Sequence, residues 1–180
     1  FGDAAYTDGY RVTLTVDSRK QQRATRALRA GLEAYDRRHG FRGAIGRVSD
    51  DALAPDNLPG LMAGYPRVAD LIPAVVTRVS DEDSIANVFA RDIGAAIIPF
   101  ETMTWARRHR TENLMGPDPD KPSDVLAVGD IVYTRVTEIP PVNADAADGP
   151  DVEPKQNNQL KLALSQVPHS PGGLSARQAQ

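Results

Sequence analysis

Leu71-Ile72-Pro73-Ala74-Val75-Val76-Thr77-Arg78-Val79-Ser80 leads into Asp81-Glu82-Asp83 and then Ser84-Ile85-Ala86-Asn87-Val88-Phe89-Ala90. Arg91-Asp92-Ile93-Gly94 follows, and Ala95-Ala96-Ile97-Ile98-Pro99 returns. The first run is rich in β-branched residues and too short for a typical helix, so it reads as a strand. The polar triplet 81–83 makes a turn, and Ile85 and Phe89 lie on one face of the second strand. Gly94 closes a second turn, and Pro99, which has no N–H to give a ladder, ends the third strand. The next run, Glu101-Thr102-Met103-Thr104-Trp105-Ala106-Arg107-Arg108-His109-Arg110, reads as a short helical turn carrying the chain's one Trp.

Two more strands are expected downstream. Residues 130–136 alternate Val132, Thr134 and Val136 with Ile131, Tyr133 and Arg135, and in 160–165 Leu160, Leu162 and Leu164 alternate with Lys161, Ala163 and Ser165. Five strands, with a helix between the third and the fourth, predict a mainly β chain built as a Greek-key OB-like barrel. An α-helical attachment precedes it. The expected organisation is a linker over 1–66, an OB-like docking domain over 67–168 with a flexible insertion at 138–158, and a disordered tail over 169–180. The insertion is dominated by Ala, Asp, Pro and Asn and shows no apolar period.

Within the linker, Tyr10-Arg11-Val12-Thr13-Leu14-Thr15-Val16 alternates as a half-buried strand over 10–16. Asp17 or Ser18 caps a helix over 19–39. Ala24, Leu28, Leu32 and Tyr35 form its apolar stripe, and Lys20, Arg23, Arg26, Arg29 and Glu33 form the opposite, solvated face. Gly40 suits the position after the helix. Residues 40–66 contain several Gly and Pro and read as irregular, with one short helix from Asp56-Asn57-Leu58-Pro59 to Met62.

Composition narrows the function. Across 180 residues the net charge is −3, and aromatic residues make up 6%. A mildly acidic chain has no broad electrostatic pull on nucleic acid or on an anionic membrane. There is no Cys, which excludes disulfides, thiol nucleophiles and Cys-based zinc sites. No apolar run reaches the roughly 18 residues of a membrane span. The chain begins at Phe1, not Met, and is expected to be a piece of a longer protein.

Several blocks carry a resemblance. They are Asp8-Gly9-Tyr10-Arg11-Val12, Tyr35-Asp36-Arg37-Arg38-His39-Gly40-Phe41-Arg42-Gly43, Trp105-Ala106-Arg107, Gly116-Pro117, Ser123-Asp124-Val125-Leu126 and Gln166-Val167-Pro168. In this order, and together with 71–77, they resemble the region of class A penicillin-binding proteins of the 1A type that joins the glycosyltransferase and transpeptidase domains. The resemblance spans 8–168. It implies a non-catalytic regulatory domain of a bifunctional peptidoglycan synthase, periplasmic, within an inner-membrane-anchored bacterial protein. It also implies two partners, an outer-membrane lipoprotein activator of the LpoA type and the parent transpeptidase domain. Two stretches depart from the family pattern. The insertion 138–158 is longer than the usual hairpin, and 170–175 lacks the apolar strand that normally follows.

The chain's own residues agree with a non-catalytic reading. Acyl transfer in this family needs Ser-x-x-Lys. Here Ser18 is followed three residues on by Gln21, Ser84 by Asn87, Ser123 by Leu126 and Ser165 by Pro168, and the remaining serines fail as well. Lys-Thr-Gly is absent. Asp81-Glu82-Asp83 reads as a solvated turn rather than a metal or acid cluster. His39 reads as a helix-end cation, and His109 has no second His near it. No catalytic residue, metal or cofactor is expected. The partner-binding candidates are Arg78, Trp105, Arg107, Arg108 and Arg110, chosen for charge and exposure. Trp105 beside those arginines also raises a nucleic-acid-binding OB module as an alternative, which the acidic charge disfavours. In the bland reading Trp105 plugs the barrel end, and a further alternative makes the domain a structural spacer. No membrane contact is expected. The strand 10–16, left without its transpeptidase partner, is a candidate edge for a dimer of the isolated chain.

Overall fold

The computed structural model describes residues 15–111, 113–138 and 160–168. The expected strand 10–16 apart from its last two residues, the insertion 138–158 apart from Glu138, and the tail 169–180 lie outside them, and with the strand goes the proposed dimer edge. In chain order the elements are α1 (Ser18–Arg37), β1 (Gly46–Arg47), α2 (Leu58–Ala63), β2 (Ile72–Ser80), β3 (Ile85–Ala90), β4 (Gly94–Pro99), β5 (His109–Thr111), β6 (Leu114–Met115), β7 (Asp130–Glu138) and β8 (Lys161–Ser165). The chain divides into two compact units, Phe1–Gly31 and Leu32–Gln180.

In the first unit α1 starts behind Asp17, whose Oδ1 accepts the N–H groups of Arg19 at 2.8 Å and Lys20 at 3.3 Å. This is the expected cap, satisfying amides that have no partner inside the helix. The second unit contains the end of α1. The helix stops at Arg37, not 39, and a turn follows in which the His39 N–H donates to the Asp36 carbonyl and the Gly40 N–H to that of Arg37. Gly40 takes φ +87°, and a Cβ there would run into the Arg107 carbonyl oxygen.

The barrel follows from the sheet order β7-β2-β3-β4-β8, closed by a β8–β7 pairing. β2, β3 and β4 form the expected antiparallel meander. β7 pairs antiparallel with β2 on one side and with β8 on the other. The closing contact is parallel and short, with Ile97 opposite Lys161 and the Ile97 N–H donating to the Leu160 carbonyl at 3.0 Å. The five-stranded OB-like barrel read from the sequence is the fold observed.

Alternation fills the interior. Ile72, Ala74 and Val76 of β2 meet Ala86, Val88 and Ala90 of β3, Ile98 of β4, Val132 of β7, and Leu162 and Leu164 of β8. Val75 and Ile131 face outward, where Leu58 and Met62 of α2 cover them. β2 is therefore buried on both faces, which is why its sequence is an unbroken apolar run and not an alternation. Full burial of side chains such as these is worth about 1.5–3 kcal/mol each. A bulge at Thr77 shifts the register between Val76 and Arg78 and bends the strand there.

Three expectations are corrected. Among the described residues no α-helix lies between the third and fourth barrel strands. A 3₁₀ turn (Phe100–Thr102), the β5–β6 hairpin and a second 3₁₀ turn (Pro122–Asp124) take its place. Pro99, Pro117, Pro119 and Pro122 deny this stretch the amide donors a helix needs. Trp105 does not plug the barrel. It is half-buried over the core, and Met103, fully buried, is the side chain that enters it. The apolar stripe of α1 is not its buried side, because Leu28 is 60% exposed and Tyr35 38%. Residues 40–66, read as irregular, contribute both β1, paired with β7, and α2.

Candidate functional site

Two arrangements in the second unit bring polar chemistry together. The first fastens the end of α1 to the barrel. Glu33, placed on the solvated face by sequence, has a side chain only 15% exposed. Its carboxylate takes Arg37 at 2.7 Å and Arg135 of β7 at 2.8 Å, and accepts the Ser165 hydroxyl of β8 at 3.4 Å. Arg135 also reaches Asp70 at 2.8 Å. Burial works to lower the pKa of the Arg135 guanidinium, but the hydrogen bond and charge of Glu33, together with Asp70, outweigh it and leave the group raised. Such a guanidinium holds its proton at any pH the fold survives.

One turn on, Asp36 is 1% exposed and grips Arg42 through both carboxylate oxygens, one of them at 2.9 Å from Nη1. A buried carboxylate needs such a fork, because an uncompensated charge away from water is costly. Gln166 locks the chain between them, donating to the Gly40 carbonyl at 3.0 Å and accepting the Arg42 N–H at 3.1 Å. Arg37 lies 4.9 Å from the Trp105 ring centre, and that ring meets Phe41 edge-on at 6.0 Å. A guanidinium over an indole is attracted by the ring's quadrupole.

The second arrangement is a groove of about 660 Å³ beside this joint. The segment 41–47 forms one wall, Arg108 and His109 another, and 123–130 the third. The Phe41 N–H donates to the Arg107 carbonyl at 2.7 Å, and the His109 N–H donates to the Phe41 carbonyl at 2.9 Å. His109 Nδ1 sits 2.7 Å from the His39 carbonyl oxygen. Because a carbonyl only accepts, Nδ1 carries the hydrogen, which leaves Nε2 uncommitted. Gly129 takes φ +85° on the third wall, where a Cβ would collide with the Val48 carbonyl.

Most charges around the groove are already paired. Arg42 holds Asp36, and Arg47 holds Asp130 at 2.7 Å. The hydrogen bond and charge of Asp130 raise the pKa of Arg47. Asp130 also accepts the Ala127 N–H at 2.9 Å, and Asp124 accepts the N–H groups of Asp120 and Lys121. The turn Asp81-Glu82-Asp83 is not simply solvated, since Asp81 takes the Ser123 N–H at 3.0 Å, its hydroxyl at 2.7 Å, and Lys121 at 3.2 Å. The Ser123 hydroxyl and N–H, with Lys121, hold the Asp81 carboxyl below the ordinary carboxylate range against the opposing effect of desolvation.

The five candidates from sequence separate. Trp105 and Arg107 are engaged within the fold, Arg107 by the Gly116 carbonyl at 2.9 Å and Asp118 at 3.3 Å. Arg108 is exposed and lines the groove. Arg110 is exposed at the bulge of the β5–β6 pair, and Arg78 is exposed on β2 opposite Asn87. None of these last three makes an ion pair with a described residue. Sequence reasoning missed Glu33, Asp36, Arg42, Arg135 and Gln166. Their one signal was the charged block around Tyr35-Asp36-Arg37, too polar for a helix end that the fold buries.

The family model of the penicillin-binding protein OB-like domain matches residues 41–169. The chain belongs to that family. The match opens at Phe41, where the joint hands over to the barrel. Penicillin-binding protein 1A of Vibrio cholerae is 37% identical over 136 residues, which is 74% of this chain and 16% of that protein. That of Pseudomonas aeruginosa is 38% identical over 138 residues, 77% of this chain and 16% of the relative. That of Escherichia coli is 30% identical over 154 residues, 80% and 18% respectively. The crystal structure of penicillin-binding protein 1A from Haemophilus influenzae shares the fold, with a TM-score of 0.54 and 21% identity over 86% of this chain and 18% of that one. The penicillin-binding protein OB-like domain described here is thus of the class A, 1A type, and spans less than a fifth of the length of the curated relatives it matches.

Proposed function

We propose that this OB-like domain is a non-catalytic docking and regulatory module of a bifunctional peptidoglycan synthase. It acts in the periplasm, within a protein anchored in the inner membrane. It receives an outer-membrane lipoprotein activator of the LpoA type and passes that binding to the transpeptidase domain. The observation that carries the reading is the family match over the barrel, whose first residue, Phe41, is hydrogen-bonded to the strand that walls the groove. The lack of Ser-x-x-Lys and Lys-Thr-Gly supports a module without its own acyl-transfer chemistry. The charged joint supports coupling, because a barrel fastened to a helix by directional contacts has something to pass on. Transmission of this kind is a coupling free energy, typically about 1–3 kcal/mol.

The test is a titration of the folded chain with the lipoprotein activator, by calorimetry or by NMR shift mapping. Saturable binding with shifts clustered on barrel residues is the expected outcome. No shifts from a folded sample would sink the docking reading and leave a spacer.

A further inference from the structure

The groove beside the joint has a charge balance of its own. Its acidic groups are committed, Asp130 to Arg47 and the Ala127 N–H, Asp124 to two backbone amides. Two of its cations are committed as well, Arg42 to Asp36 and Arg47 to Asp130. Arg108 lines the same groove, is exposed, and makes no ion pair with a described residue. The unspent charge of the groove is therefore positive. His109 next to it leaves Nε2 uncommitted. Apolar side chains stand on both banks, with Ile45 47% exposed and Val128 41% exposed. An unpaired arginine between exposed aliphatic groups over a partly apolar floor has the composition of an interaction hot spot. The cavity, about 660 Å³, lies within the size range of clefts that hold a compact ligand.

We infer that this groove, with Arg108 as its anchor, binds a short acidic segment of a partner protein, one carboxylate on Arg108 and aliphatic neighbours against Ile45 and Val128. Only the identity of the partner rests on the docking reading above. The charge and shape belong to the groove.

The test uses the whole chain, ¹⁵N-labelled, and two synthetic peptides alternating Glu with Leu or Gln with Leu. The Glu peptide should saturate shifts at 41–47, 108–109 and 123–128, and the Gln twin should bind at least tenfold more weakly. Arg108→Glu should weaken the Glu peptide at least tenfold, as should Ala127→Glu, which places a carboxylate on the exposed groove wall. Arg78→Glu, outside the groove, should leave it unchanged. Equal binding of the two peptides, shifts elsewhere, or an unaltered affinity in folded Arg108→Glu and Ala127→Glu would overturn the assignment. A parallel titration with the lipoprotein separates the two readings. Lipoprotein binding unaffected by both groove variants removes the groove and keeps the docking function. Peptide binding in the groove without any lipoprotein binding keeps the groove and removes that partner.

Discussion

Two helical pieces are fastened to one barrel by opposite chemistries. α2 covers Val75 and Ile131 with Leu58 and Met62, an apolar contact without direction. The end of α1 is held by Glu33, Asp36 and Arg37 through ion pairs and a cation–π contact. The apolar cover follows shape and buried area, and any well-packed side chain of the right volume would serve. The charged joint requires particular partners at particular distances. A joint of this kind gains little net stability over an apolar one, since desolvation offsets much of its attraction. What it adds is a defined position and sensitivity to whatever disturbs one partner. The cover belongs to the barrel's stability, and the joint belongs to its communication.

Met62→Ala should show the largest effect. The side chain is 1% exposed, and its truncation leaves a cavity at a cost of about 3 kcal/mol. Urea midpoints at low and high salt should fall by the same amount. Arg42→Ala should come next, at about 2 kcal/mol, below the full cost of breaking a buried pair because Arg42 is itself 30% exposed. Its loss should shrink as salt rises, since the partly exposed partner is screened. Equal salt responses in the two variants would break the comparison.

The smallest effect is expected at Asp81→Asn, which tests an ion pair away from both helices. The folded Asp81 carboxyl lies below its ordinary value. Its contribution is therefore present above the unfolded pKa of about 3.9 and is lost as pH falls through the folded value. The stability gap between the native chain and this variant should hold steady above about pH 5 and close below about pH 4. A gap that persists at pH 2.5 would show that Asp81 acts through shape, not charge.

The barrel could be read from sequence because its signals are local. The β-branched run before Arg78, the turns at 81–84 and 91–94 and the stop at Pro99 each depend on neighbours a few residues away. The joint could not be read that way, because Arg135 lies 102 residues from Glu33 and Gln166 lies 124 from Arg42. Helical periodicity ranked Ala24, Leu28, Leu32 and Tyr35 as the buried face, and tertiary partners reversed the choice by drawing in Glu33 and Asp36. The segment 105–110 misled for a similar reason. Arg107 is turned by the Gly116 carbonyl and Asp118, so what reads as a helical basic run is the entry to a hairpin.

β8 meets β4 through a single ladder pair and carries Ser165 at its end, with Gln166 just beyond. Those two residues reach Glu33, Gly40 and Arg42. The strand that seals the barrel is thus also the clasp on the helix. Peeling it away opens both at once, so the Ile97 amide at the seam and the Arg42 amide at the joint should exchange with deuterium as one cooperative unit.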